Sequence, residues 1–213
     1  MKLKDFKTLL IAIVISTLFT ACQKEVDFQD ITNNPSPGGG TTNNSIIGTW
    51  NFVGMFASTR SLVVAGTGPA EEKAVTSYGF ISEKNVGTVT INAATITSAG
   101  VGYSIDTVVT TEYYLGGVLI DSFNTDFAFD MPVSSAVAPY KAVGNDSIYF
   151  AGGFLTLDPS AGVTPTAAAG SKISWSGDTL LLKTVVVENR TESVNGVAAT
   201  ISNNISQVVK LKK

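Results

Sequence analysis

The side chains that could do chemistry in this 213-residue chain are few, and their pattern excludes more than it offers. There is no histidine, and the single cysteine is Cys22. Without histidine there is no Ser-His-Asp or Cys-His relay and no imidazole-bound metal. Asp126 and Asp130 stand at same-face spacing on a strand, and a paired acid and base of that kind is what a carboxylate-based hydrolase needs. On the polar side of a strand, however, solvated aspartates are the default, so the chain reads as non-catalytic. Gly66-Thr67-Gly68-Pro69 lacks the third glycine and the strand–helix setting of a nucleotide loop. No acidic run has the spacing of a calcium loop. A net charge of −3 provides no basic stripe for nucleic acid. No cofactor and no metal are expected. What remains is one thiol and an alternating Glu188, Arg190, Glu192 ladder.

The surroundings of Cys22 define its chemistry. Lys2, Lys4 and Lys7 precede an apolar run of 11 residues, Leu9 to Phe19, and Thr20-Ala21-Cys22 closes it. A membrane-spanning helix takes about 20 apolar residues, so this stretch has the proportions of a signal peptide. The Ala-Cys ending resembles the lipobox of bacterial lipoproteins. That resemblance implies cleavage after Ala21 and acylation of Cys22. Phe19 stands where the family usually has Leu, which is similar to the looser lipoboxes of the Bacteroidetes. The following Gln23, Lys24, Glu25 and Asp27 resemble the charged signal that exports lipoproteins of that phylum to the cell surface. The implied partners are the membrane, through the N-terminal lipid, and the lipoprotein export machinery. The implied location is the outer membrane, lipid-anchored, at the cell surface or alternatively facing the periplasm. Acyl chains at about 0.8 kcal/mol per buried methylene make such attachment effectively permanent.

Three segments follow from composition: the signal peptide 1–21, a lipidated N-terminus with a flexible tether 22–45, and one folded domain 46–213. Ile31 to Ser45 is built of Pro, Gly, Asn, Thr and Ser and cannot bury enough surface to order itself. Beyond it Val, Ile, Thr, Phe and Tyr alternate with polar residues, and Gly and Asn mark the breaks, the pattern of short antiparallel strands. Strands are expected at 46–56, 74–82, 87–96, 103–115, 119–131, 147–157, 172–175, 178–187 and 197–211. Ala70-Glu71-Glu72-Lys73-Ala74 is the best helical candidate, a turn or two long. The fold expected is all-β, an antiparallel up-and-down barrel of about eight to ten strands, whose closure removes exposed edges; a β-sandwich is the alternative.

Two hairpins bear on where side chains point. Around Gly116-Gly117, a two-residue turn would set the aromatic positions of one strand against the aspartates of the next. A three-residue loop Leu115-Gly116-Gly117 pairs Tyr114 with Val118 and Val109 with Phe123, and is the expected register. Around Asn195-Gly196, a two-residue turn puts Glu188, Arg190 and Glu192 on the apolar face, at a wet barrel mouth where they would anchor a ligand. A three-residue loop turns them outward. The sequence leaves both open.

Ile46-Ile47-Gly48-Thr49-Trp50 resembles the Gly-x-Trp that opens the first strand of lipocalins and of lipocalin-like domains in Bacteroidetes lipoproteins. The segments Ser174 to Leu180 and Val208 to Lys212 are similar to those domains as well. The resemblance implies that Trp50 plugs one barrel end beside a basic residue of the last strand, Lys210 or Lys212. A small apolar or amphipathic ligand would then be lined by Trp50, Phe123, Phe127 and Phe129. The alternative is a structural or accessory surface lipoprotein with a solid core, acting through protein or glycan contacts. Asp106-Thr107-Val108, Asp146-Ser147-Ile148 and Asp178-Thr179-Leu180 resemble the Bacteroidetes O-glycosylation tripeptide, which makes Thr107, Ser147 and Thr179 candidate acceptors.

Overall fold

The computed structural model describes residues 45–151, 169–194 and 197–213. Ala21, Cys22, the export-signal residues and the tether up to 44 lie outside the described residues. So do the last residues of the strand expected at 147–157 and the Asn195-Gly196 pair. The described chain is antiparallel β, with one 3₁₀ turn at Gly68–Ala70. Its strands are β1 Gly48–Ala65, β2 Glu72–Ile81, β3 Glu83–Ile91, β4 Thr95–Leu115, β5 Val118–Pro139, β6 Lys141–Val143, β7 Ser147–Phe150, β8 Ala169–Ser176, β9 Thr179–Val194 and β10 Val197–Lys212.

Pairing follows chain order, as a meander requires. β2 and β3 form two parts of one interrupted strand between β1 and β4. β4 pairs with β5, and β6 through β10 pair in succession until β10 reaches β1. β5 runs on into β6 through Tyr140, whose N–H donates to the Ala94 carbonyl at 2.9 Å. The chain thus passes from pairing with β4 to pairing with β7 at Pro139–Lys141, so the continuity of β5 into β6, and not a ladder between them, joins the two ends of the sheet. The sheet is barrel-like.

Alternation sets what is inside. Trp50 and Phe52 point inward; a bulge between Phe52 and Gly54 then reverses the parity, so that Met55, Ala57 and Val63 are buried. Ser82 and Asn85 hold the bulge. Met55 N–H donates to Ser82 Oγ at 2.7 Å, and Asn85 Nδ2 donates to the Val53 carbonyl at 3.2 Å. These bonds satisfy backbone groups that the broken ladder would otherwise leave unpaired. The main core fills one half of the barrel, with Trp50, Met55, Ile91, Ile96, Phe150, Leu180 and Leu211 buried together. Burying each such large side chain is worth about 1.5–3 kcal/mol. The outer face of β10 carries Thr200, Asn204, Ser206 and Lys210, with Asn124, Asp126 and Asp130 on the outer face of β5. The division is not uniform: Phe56, Val108, Val185 and Val187 are exposed on the outer face, and Thr59, Ser61, Thr76, Thr111 and Asn203 are buried on the inner one. Among the described residues no helix is long and apolar enough to cross a membrane.

Several expectations need correction. The helical candidate at 70–74 is mostly strand: Glu72, Lys73 and Ala74 pair with both β1 and β4, and two ladders outweigh a weak local helix preference. The strand expected at 87–96 is broken by a turn at Asn92–Ala94, where Asn92 N–H donates to the Thr95 carbonyl at 2.9 Å. β1, β4 and β5 run longer than expected; in β1 Thr59 and Ser61, and in β4 Ser98, are polar yet buried and disguise the alternation.

The first hairpin also differs. Leu115 pairs with Val118 around a two-residue turn, with Gly116 at φ +55° and Gly117 at φ +81°, conformations suited to glycine. A register shift then intervenes: Tyr114 faces Leu119, but Tyr113 faces Asp121, so Ile120 is an extra residue. Val109 consequently opposes Thr125, not Phe123, and Phe123 opposes Thr111. The bulge restores the parity that the three-residue loop was expected to give.

Candidate functional site

The second hairpin decides where the charged ladder goes. Val194 pairs with Val197, Glu192 with Ala199, Arg190 with Ile201 and Glu188 with Asn203. This is the register of a two-residue turn. Ala199, Ile201 and Asn203 are all buried, so Glu188, Arg190 and Glu192 belong to the inner face. Arg190 sits between the carboxylates, with Nη1 3.1 Å from Glu188 Oε1 and Nε 2.9 Å from Glu192 Oε1. Along β9 the side-chain exposures are 25% at Glu188, 15% at Arg190 and 44% at Glu192. The network continues into the wall: Asn203 Nδ2 donates to Glu188 Oε2 at 3.3 Å, and Ser61 Oγ donates to Asn203 Oδ1 at 2.7 Å. Across the barrel Thr76 and Thr111 hydroxyls meet at 3.3 Å.

Beside the ladder lies a second, smaller apolar cluster of Val63, Ala65, Ala74, Tyr113, Ala199 and Ile201, with Phe123 packed on it. The Tyr113 and Phe123 rings stack at 5.9 Å and 27°. Tyr113 is buried, and its hydroxyl has no hydrogen-bond partner among the described residues. Burial, reinforced by the Asp121 charge, pushes its phenol above the usual tyrosine range. This half of the interior therefore offers an aromatic wall, an unmet hydroxyl and a charged ladder of net charge −1. Phe127, at an inward position by its register, is nevertheless 40% exposed, so the wall is open to solvent there.

The four aromatics expected to line one cavity do not converge. Trp50 lies in the packed half, 1% exposed. Its Nε1 donates to the Ile46 carbonyl at 2.8 Å and its ring lies 5.6 Å from Trp175. The cation over it is Lys213, 4.7 Å from the ring centroid, rather than Lys210 or Lys212. Lys212 pairs instead with Asp178 at 3.2 Å, because even positions at the end of β10 point outward. Phe129 packs on the edge of the same core. Only Phe123 and Phe127 belong to the half with the ladder. Tyr113 was missed as a site residue, since an unpaired hydroxyl is a property of the packed structure and leaves no mark in the sequence.

The remaining candidates are scattered. Asp130 is on the outer face and accepts from Ser104 Oγ at 2.6 Å, and Asp126 stands opposite Val108. Thr107 Oγ1 donates to the Gly79 carbonyl at 2.7 Å. Ser147 and Thr179 hydroxyls each donate to the preceding aspartate, at 3.0 and 3.5 Å. Among the described residues no cluster of acidic, cysteine or histidine side chains could hold a metal.

Fold and site together define an all-β, barrel-like domain with a packed apolar half and a polar, partly open half. No family model and no curated protein matches the sequence. Among solved structures, the chain is similar to the crystal structure of Ail, the attachment invasion locus protein of Yersinia pestis. It is 7% identical over 78% of this chain and 99% of that one, with a TM-score of 0.20. The complex of the same protein with the heparin analogue sucrose octasulfate gives 6% identity, the same coverage and a TM-score of 0.21. Likeness at that level carries no argument about function.

Proposed function

We propose that this chain is a cell-envelope lipoprotein, anchored in the outer membrane through acylated Cys22 and displayed at the cell surface. Its non-catalytic lipocalin-like domain binds a small amphipathic molecule in the open half of the barrel. The observation that carries the binding reading is the inward Glu188–Arg190–Glu192 ladder beside the Tyr113–Phe123 stack. Taking charges out of water costs several kcal/mol unless they are well paired. A solid-core accessory protein gains nothing from placing three on its inner face. Aromatic side chains take the apolar part of the ligand, and the carboxylates and the Tyr113 hydroxyl take its polar head. The net charge of the ladder favours a head rich in hydrogen-bond donors, such as an amine.

Native mass spectrometry of the full chain, purified gently from membranes, tests this. A bound small molecule is expected, and it is lost in Phe123→Ala and in Glu188→Gln. A protein without adducts, whose stability no lipid or amphipathic amine changes, would leave the solid-core accessory role as the better reading. Lipidation is tested separately by metabolic labelling with a clickable palmitate analogue; an unlabelled chain, or equal labelling of Cys22→Ser, refutes the anchor.

A further inference from the structure

The wall of the barrel also has a window between β2 and β4. The β2–β4 ladder ends at Ser77 opposite Thr110, and pairing with β4 resumes only at Glu83 opposite Ser104. Over 78–82 and 105–109 the two strands keep their pairings on the far sides, with β1 and β5, but have no ladder between them. Thr107 Oγ1 spans the gap to the Gly79 carbonyl. That bond shows that the Gly79 backbone faces β4. In antiparallel geometry the carbonyl and N–H of one residue point to the same side, so backbone donors and acceptors line the opening.

A shallow groove of about 560 Å³, largely open to solvent, lies over this window. Because the wall is parted, the groove reaches inner-face Thr59 and Tyr78 as well as outer-face side chains. It is lined by hydroxyls, the Asn204 amide and the Arg60 guanidinium, with no carboxylate. Its polar groups are in register. Asn204 of β10, Arg60 of β1, Ser77 of β2, Thr110 of β4 and Asn124 of β5 stand opposite one another in a row across the outer face. Strands about 4.8 Å apart make that row about 19 Å long. Arg60 makes no ion pair among the described residues. Asp126, opposite Val108, marks the β5 rim.

We infer that this window is a second binding site, on the outer face, for an acidic oligosaccharide. A row of fixed hydroxyl and amide groups suits the alternating donors and acceptors of a sugar chain. Val108, exposed beside the groove, supplies apolar surface for a pyranose face. A guanidinium meets a carboxylate in planar, bidentate fashion. The sugar carboxylate lies at Arg60, away from Asp126, which fixes the direction of the chain across the strands.

The test uses the full chain in detergent, with calorimetric titration of trigalacturonate, a hyaluronan tetrasaccharide and sialyllactose, and with maltotriose as the neutral control. At least one acidic probe is expected to saturate, at least about tenfold more tightly than maltotriose. Arg60→Gln is expected to weaken it by about tenfold. Gly79→Leu is expected to block it without unfolding the protein. A Cβ there meets the Ala57 carbonyl oxygen at 3.4 Å and Ser58 Cβ at 3.7 Å, which are ordinary contacts. Lys172→Gln, at an exposed ion pair with Asp146 outside both sites, is expected to leave this binding unchanged. The inference is overturned if no acidic probe saturates at millimolar concentration, if maltotriose binds equally well, or if Arg60→Gln is without effect.

Discussion

Replacing Arg190 with methionine tests whether the ladder is a true interior network or a solvated rim. The substitution keeps most of the apolar stem and removes the charge held between Glu188 and Glu192. Exposed ion pairs contribute about 0–1 kcal/mol, and stranding a fully buried charge costs about 3–5 kcal/mol. With side-chain exposures of 15% at Arg190, 25% at Glu188 and 44% at Glu192, the site lies between these limits. The expected loss is about 2 kcal/mol, most of it from leaving Glu188 beside an uncharged neighbour on the inner face. For a chain of this size that lowers Tm by about 4–8 °C. The triple variant Glu188→Gln, Arg190→Met, Glu192→Gln removes every charge together and is expected to return to within about 1 kcal/mol of the parent, since no ion is left unpaired. Urea and thermal unfolding followed by circular dichroism measure both. An Arg190→Met protein as stable as the parent, or a triple variant no better than the single, would refute the interior placement. A loss that disappears in high salt would mark the pair as a screened surface contact.

Three further outcomes follow from the packing. Trp50→Ala, at a side chain 1% exposed with a hydrogen bond, a ring contact and a cation against it, is expected to cost about 3–5 kcal/mol, read as a shift in urea midpoint. Gly87→Ala is expected to destabilise by at least about 1–3 kcal/mol, because φ is +101° and the new Cβ would fall 2.4 Å from the Gly100 carbonyl oxygen; a variant that melts with the parent refutes this close approach. Burial raises the phenols of Tyr78, Tyr103, Tyr113 and Tyr140 above the ordinary value of 10.0. The folded state therefore holds protons that the unfolded chain releases, so stability is full below pH 10 and falls as pH rises above it. Phenolate absorbance during alkaline titration should lag behind that of the urea-unfolded chain; coincident curves would contradict the burial.

The legible part of this protein was the part written in local chemistry. The absence of histidine, the apolar run ending at Cys22, and the alternation of β-branched and polar residues each depend on residues near one another in the chain. The all-β class and the meander could be read from them. At Gly116-Gly117 the sequence also indicated correctly that odd positions of β4 face odd positions of β5. It could not show that a bulge at Ile120, rather than a longer loop, achieves this. Either device restores the same parity, so the alternation of side chains does not distinguish them.

What only the tertiary structure decided is which face each segment presents. Glu188, Arg190 and Glu192 look the same in sequence whether they point to water or to the interior. A shift of one residue at Asn195-Gly196 exchanges the two, and the pairing of Glu192 with buried Ala199 settles it. The four aromatics chosen from the sequence were right as apolar residues but separated in space: Trp50 fell to the packed end, and Phe123 and Phe127 to the open one. The window between β2 and β4 left no mark in the sequence at all. It arises because β2 and β3 divide one strand position between them, and the break falls where β4 runs straight past. Composition fixes how much apolar surface must be buried; register, bulges and strand interruptions fix where, and these are set by partners more than a hundred residues away, as Ser61 and Asn203 are.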